Sequence, residues 1–117
     1  MNIEDKIKRI VAALEDVKAR DIVVLDTRKL TSLFERMVIA SGDSNRQTRA
    51  LADRVREKMK EAGEYVGNTE GEETGDWVLL DLGDVIVHVM QPAARAHYNL
   101  EELWGAGQAV RARASGA

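Results

Sequence analysis

Residues able to do chemistry concentrate in one stretch, 76–90, which reads Asp-Trp-Val-Leu-Leu-Asp-Leu-Gly-Asp-Val-Ile-Val-His-Val-Met. Two apolar runs, 77–82 and 85–90, flank Gly83-Asp84. A two-residue link that begins with glycine signals a hairpin, because glycine takes positive φ at no steric cost. That turn pairs Leu82 with Val85, Leu80 with Val87 and Val78 with Val89 on one face. The other face pairs Asp81 with Ile86, Leu79 with His88 and Trp77 with Met90. The first face is wholly aliphatic and reads as core. The second mixes an indole, a thioether, a carboxylate and an imidazole, which suits neither a dry core nor a face that meets only water. It reads as a recognition surface.

Three catalytic chemistries can be weighed against these residues. Ser32, Ser41, Ser44 and Ser115 lack the Gly-x-Ser-x-Gly setting of an activated nucleophile, so hydrolysis is disfavoured. Asp81, Asp84 and His88 are metal-ligand types, but the two acids straddle a turn and need not converge, and no metal site is expected. Ser41-Gly42-Asp43-Ser44 before a helix start can present amides and a helix dipole to a phosphate, with Arg46 and Arg49 close by. A Gly-Ser turn followed by strand carboxylates also opens nucleotidyltransferase folds. Those enzymes need two acids at i and i+2 on one strand face, whereas Trp77, Leu79 and Asp81 offer one. Nucleotidyl transfer is therefore rejected and no cofactor is expected. The basic residues 46–60 lack interleaved aromatics, so nucleic-acid binding is no lead, and that helix face is expected to be solvated.

The elements that position these residues follow from periodicity. Ile3, Ile7, Ile10, Val11, Leu14 and Val17 recur at helical spacing and predict an amphipathic helix over 3–19. Residues 22–25 and 37–40 are short β-branched runs suited to buried strands, joined by a connection anchored through Leu30, Leu33 and Phe34. Ser44-Asn-Arg-Gln47 has the form of a capping box, opening a helix on Leu51, Val55 and Met59 that stops at Gly63. Tyr65-Val66 suggests a short strand and 67–75 a polar loop. Pro92 suits a first helical turn, and 93–104 predicts one helix with Leu100, Leu103 and Trp104 on a stripe. The order predicts a single α/β domain over 1–104, a mixed sheet with helices packed on it. Residues 105–117 are expected to form a disordered tail.

A chain of 117 residues with 44% hydrophobic and 32% charged residues supports one modest core. No cysteine is present, which removes disulfides and thiolate sites and suits a reducing compartment. No signal peptide or membrane-spanning run is apparent, so a cytoplasmic protein with no membrane partner is expected. The net charge of −3 hides a polarity: residues 61–94 contain eight acids and no Lys or Arg. That half should carry a negative field and favour a basic partner.

Three signatures stand together. They are Asp21-Ile-Val-Val-Leu-Asp26; Met37-Val-Ile-Ala-Ser-Gly-x-Ser-x-Arg46-Gln47 with Ala52-Asp53; and Trp77-x-x-x-Asp81-x-Gly83-Asp84-Val-x-Val-His88 leading to Tyr98-x-Leu-Glu-x-Leu-Trp104. In order and spacing they closely resemble the ribosomal silencing factor, or Iojap, family over about residues 3–104. One departure is Leu33-Phe34-Glu35-Arg36-Met37, which lacks the aspartate–aromatic pair common there.

The resemblance implies a nucleotidyltransferase-like topology without the activity. It also implies binding to the large ribosomal subunit through ribosomal protein number fourteen, which blocks joining of the small subunit and lowers translation when nutrients are short. Large-subunit assembly and nucleotide binding are the alternatives. The partner-binding residues it implies are Trp77, Asp81, His88 and Tyr98, to which the hairpin pairing adds Leu79 and Met90. Trp77 has a second reading, packed under the C-terminal helix. Ser44 and Arg46, and Arg111 and Arg113 in the tail, are candidate ribosomal RNA contacts. An exposed Trp/Leu/Met patch also suggests a homodimer when the chain is free.

Overall fold

The computed structural model describes residues 1–105 and 109–111. Ten elements follow in order: α1 (Ile3–Asp16), β1 (Arg20–Asp26), β2 (Arg36–Ser41), α2 (Asn45–Glu61), β3 (Thr69–Glu70), β4 (Trp77–Asp81), β5 (Val85–Met90), α3 (Pro92–Tyr98), α4 (Leu100–Gly105) and β6 (Ala109–Arg111). The strands form one mixed sheet in the order β3-β4-β5-β2-β1-β6. Only β2 and β5 run parallel, and the other neighbours are antiparallel. The α/β fold class expected from the sequence is the one observed.

Strand alternation splits the sheet into two apolar faces. On one, Val38 and Ala40 of β2 join Val78, Leu80, Val85, Val87 and Val89 of the hairpin, and all are closed from water. α1 covers this face with Ile10, Val11 and Leu14, and α2 covers it with Leu51, Val55 and Met59. On the other face, Val23, Leu25, Met37, Ile39 and Met90 make a second, smaller cluster. Phe34, Ala94, Leu100 and Trp104 pack over it. The helices after β5 therefore form a third layer.

The first helix ends at Asp16, three residues early, because Lys18 takes a left-handed conformation at φ 65°. α2 begins as predicted, with Ser44 Oγ accepting from the Gln47 N–H at 3.0 Å. Gln47 returns its Oε1 to the Asp43 N–H at 2.7 Å, one residue before the cap, while its Nε2 donates to the carbonyls of Val17 and Lys18. One side chain thus ties the start of α2 to the end of α1.

Several expectations are corrected. The short strand lies at Thr69–Glu70, inside the predicted loop, rather than at 65–66. Tyr65 instead lies beside the hairpin turn, where a Cβ on Gly83 would sit 3.4 Å from its ring. The predicted 93–104 helix is two helices broken at Asn99, which adopts φ 45°. The break leaves α4 with a narrow stripe: Leu100 and Trp104, four apart, face the sheet and Leu103 turns outward at 73% exposure. Leu33 does not anchor the β1–β2 connection but is 82% exposed, whereas Phe34 packs on Trp104 with ring centroids 5.5 Å apart. Within the expected disordered tail, Ala109–Arg111 pairs with β1 as an edge strand. Gly105 closes α4, and the remaining tail residues, Arg113 included, lie outside the described residues.

The hairpin turn is pinned from below. Lys6 on α1 is buried, and its Nζ donates to the Leu82 carbonyl at 2.9 Å and contacts Asp84 at 2.5 Å and Glu64 at 3.5 Å. Removing the ammonium leaves the Leu82 carbonyl without this donor and the two carboxylates unneutralised. Because Asp84 is partly solvated, the cost is discounted from that of a fully buried pair. Lys6→Met, which keeps the aliphatic stem, is expected to lower the unfolding free energy in urea by about 2 kcal/mol. A change under about 0.5 kcal/mol, the range of ordinary surface substitutions, would remove this pin from the account.

Candidate functional site

The hairpin register is as the sequence implied. Trp77 lies opposite Met90, Leu79 opposite His88 and Asp81 opposite Ile86. The turn closes through the Leu82 N–H to the Val85 carbonyl at 2.9 Å, with Gly83 at φ 85°. Asp81 Oδ1 accepts from the Gly83 N–H at 2.8 Å, so this carboxylate caps its own turn while staying partly exposed.

The second face is less open than expected. Met90 is fully buried beneath the short helices, and His88 keeps only 5% of its surface in contact with solvent. Neither forms an exposed patch, and the expected Trp/Leu/Met surface loses its methionine. Trp77 and Leu79 are half-buried, and Tyr98 is 53% exposed. Ser44 and Arg46 sit apart from the hairpin at the start of α2, where Ser44 serves as the cap. The turn before α2 also spends its amides within the protein: Gly42 N–H donates to the Met90 carbonyl and Asp43 N–H to Gln47.

A chain of rings links buried strand to surface. Trp77 Nε1 donates to His88 Nδ1 at 2.9 Å, with ring centroids 5.7 Å apart. Tyr98 lies on the indole at 4.7 Å and 44°, and His97 meets Tyr98 edge-on at 4.8 Å. An indole N–H can only donate, so His88 Nδ1 must accept, which makes it the neutral imidazole protonated at Nε2. Burial pushes the His88 pKa down to about 4 by penalising the charged form. Trp77 packs against Tyr98 of α3 and keeps part of its surface open to solvent.

Beside this stack lies an open cleft of about 520 Å³ lined by Thr74, Asp76, Trp77, Gln91, His97 and Tyr98, together with the first turn of α3. The loop before β4 reaches this position because Gly71 takes φ 86° where a Cβ would sit 1.9 Å from the Trp77 carbonyl oxygen. Sequence reasoning missed Asp76, Gln91 and His97. The pairing of acid and indole in Asp76-Trp77, and of two rings in His97-Tyr98, was the available signal.

The negative half is also partly neutralised. Arg56 pairs with Glu72, and Arg49 donates to the Glu72 and Glu73 carbonyls, both at 2.6 Å. The α2 face expected to be solvated instead clamps the acidic loop. No group of three acids and imidazoles among the described residues could hold a metal ion. No helix among them is long and apolar enough to cross a membrane.

The family model described as "Ribosomal silencing factor during starvation" matches residues 1–116, a longer span than the 3–104 of the motif resemblance. The ribosomal silencing factor RsfS of Chromobacterium violaceum is 57% identical over 105 residues, covering 90% of this chain and 86% of that one. The chloroplastic protein Iojap of Zea mays is 35% identical over 96 residues, covering 82% of this chain and 42% of that protein. A crystal structure of a Chromobacterium violaceum protein superposes with a TM-score of 0.88 at 56% identity, covering 91% of this chain and 89% of the other.

His88 makes stability depend on pH in a defined direction. Its folded pKa lies below the ordinary 6.5, so the unfolded chain binds the extra proton between about 6.5 and about 4. The stability from the neutral imidazole is complete above that window and is lost as pH falls through it. Between pH 7.5 and 5, the wild type should lose about 2 kcal/mol more unfolding free energy than His88→Gln. Parallel pH profiles for the two proteins in urea would contradict this.

Proposed function

The chain belongs to the ribosomal silencing factor family, and on that premise we propose that it binds the large ribosomal subunit through ribosomal protein number fourteen. Bound there, it occupies the face the small subunit needs, blocks joining by steric exclusion and lowers translation when nutrients are short. The observation that carries this reading is the half-exposed Tyr98 ring packed at a tilt against Trp77, whose indole is fixed by the buried His88. Rings held in this way bury much area on docking and lose little side-chain freedom, which is what interface anchors require.

Charge supports the same side. Ribosomal proteins are basic as a class, and Asp76, Asp81, Glu70 and Glu73 lie in a segment free of Lys and Arg. Such complementarity speeds encounter and excludes acidic competitors. His88 and Met90 serve this site from beneath. His88 orients the indole and Met90 packs the floor, while Trp77, Leu79, Asp81 and Tyr98 meet the partner. The mechanism needs no chemical step, only occupancy of a surface, and the homologues bear the names of silencing factors rather than enzymes.

Co-sedimentation with purified large and small subunits tests the reading. The wild type should pellet with the large subunit only. Trp77→Ala and Asp81→Lys, checked by circular dichroism for folding, should each weaken the association, the tryptophan change by at least about 2 kcal/mol. Wild-type protein that pellets with neither subunit would end the proposal, and undiminished binding by both variants would move the site away from the hairpin.

A further inference from the structure

Resting on that docking face, the geometry points to a pocket for one cationic side chain, an arginine of the partner protein, in the cleft between Asp76, Gln91 and the Trp77–Tyr98 stack. The cleft brings together a carboxylate, an amide oxygen and the rings of Trp77 and Tyr98, with the Thr74 hydroxyl and the His97 imidazole also in its lining. Gln91 commits both N–H groups of its amide within the protein, to Asn45 Oδ1 and to the Gly75 carbonyl. Its Oε1 is therefore held as an acceptor among the lining residues. The Asp76 carboxylate has no hydrogen bond or ion pair among the described residues, although its backbone carbonyl receives the Gln91 N–H at 2.9 Å. Nearby Glu72, by contrast, is neutralised by Arg56. Asp76 is the acid that lines the cleft, and its charge is left open.

An aromatic wall completes the pocket. Tyr98 and Trp77 meet at 44°, and Tyr98 remains about half exposed. A planar guanidinium can lie against such a ring while directing its N–H fork at a carboxylate and an amide oxygen, a combination an ammonium matches less well. The cleft, at about 520 Å³, is large enough for the guanidinium and the stem that carries it. Among the described residues no Lys or Arg lines it, and His97, edge-on to Tyr98, brings its one imidazole. The guanidinium is supplied by the partner.

Citrulline, the neutral near-isostere of arginine, separates charge recognition from shape. Nuclear magnetic resonance would follow the Trp77 indole N–H and the Tyr98 ring during titration of the full chain with acetyl-arginine-amide, then with acetyl-citrulline-amide. The expected result is a saturable shift with arginine only, and a dissociation constant raised about five-fold or more in Asp76→Asn. The same variant should pellet less with the large subunit than the wild type. Equal shifts with both amides, or an unchanged constant in folded Asp76→Asn, would overturn the pocket. The docking reading fails separately, when the wild type ignores the large subunit yet still distinguishes arginine from citrulline.

Discussion

An indole N–H that sits against a sheet must find an acceptor, and an imidazole buried in the same sheet must stay neutral. Trp77 and His88 meet both needs with one hydrogen bond of 2.9 Å. The pairing depends on the β4–β5 register, which sets Leu79 opposite His88 and brings Trp77 level with Met90 one step along. A slip of one residue would send all of these side chains through to the aliphatic face. The register in turn depends on a two-residue turn held by Asp81 and the buried Lys6. The bond between two rings is thus the visible end of a constraint that begins in α1.

The two faces of the sheet divide the labour. Two long helices seal one face with Leu, Ile and Val, and supply most of the burial that makes the domain stable. Two short helices cover the other only in part, so its core grades into surface along the series Met90, His88, Trp77, Tyr98. His88 holds the indole of Trp77, and Trp77 in turn supports the ring of Tyr98. The outermost ring can therefore be both exposed and ordered, which favours rigid recognition over adaptive binding.

Much of this was legible in the sequence because it rests on local signals. The Gly83 turn and strict alternation fixed the hairpin pairing, and the Ser44 cap placed the start of α2. The burial of His88 and Met90 was not legible, since it depends on α3 and α4 folding back over the sheet, and no local pattern encodes that return. The helix break at Asn99 escaped for a related reason. An asparagine in the left-handed region is recognised by its conformation, while its neighbours still read as helix. The charge polarity was read correctly as sequence but overstated as a field, because Lys6, Arg49 and Arg56 reach the acidic segment from other elements. Of the candidate site, alternation placed the strand residues together on one face of the hairpin. The Asp76–Gln91 side was missed because it forms between a loop and a helix start.

Silencing by steric exclusion requires that occupancy of the large subunit keep the small one away. An order-of-addition experiment measures it directly: the protein is added to large subunits before or after the small subunits, and whole ribosomes are then resolved on a gradient. Prior addition should lower the yield of whole ribosomes in proportion to bound protein, while later addition should leave joined ribosomes largely intact. Joining that proceeds undiminished on large subunits saturated with the protein would contradict it.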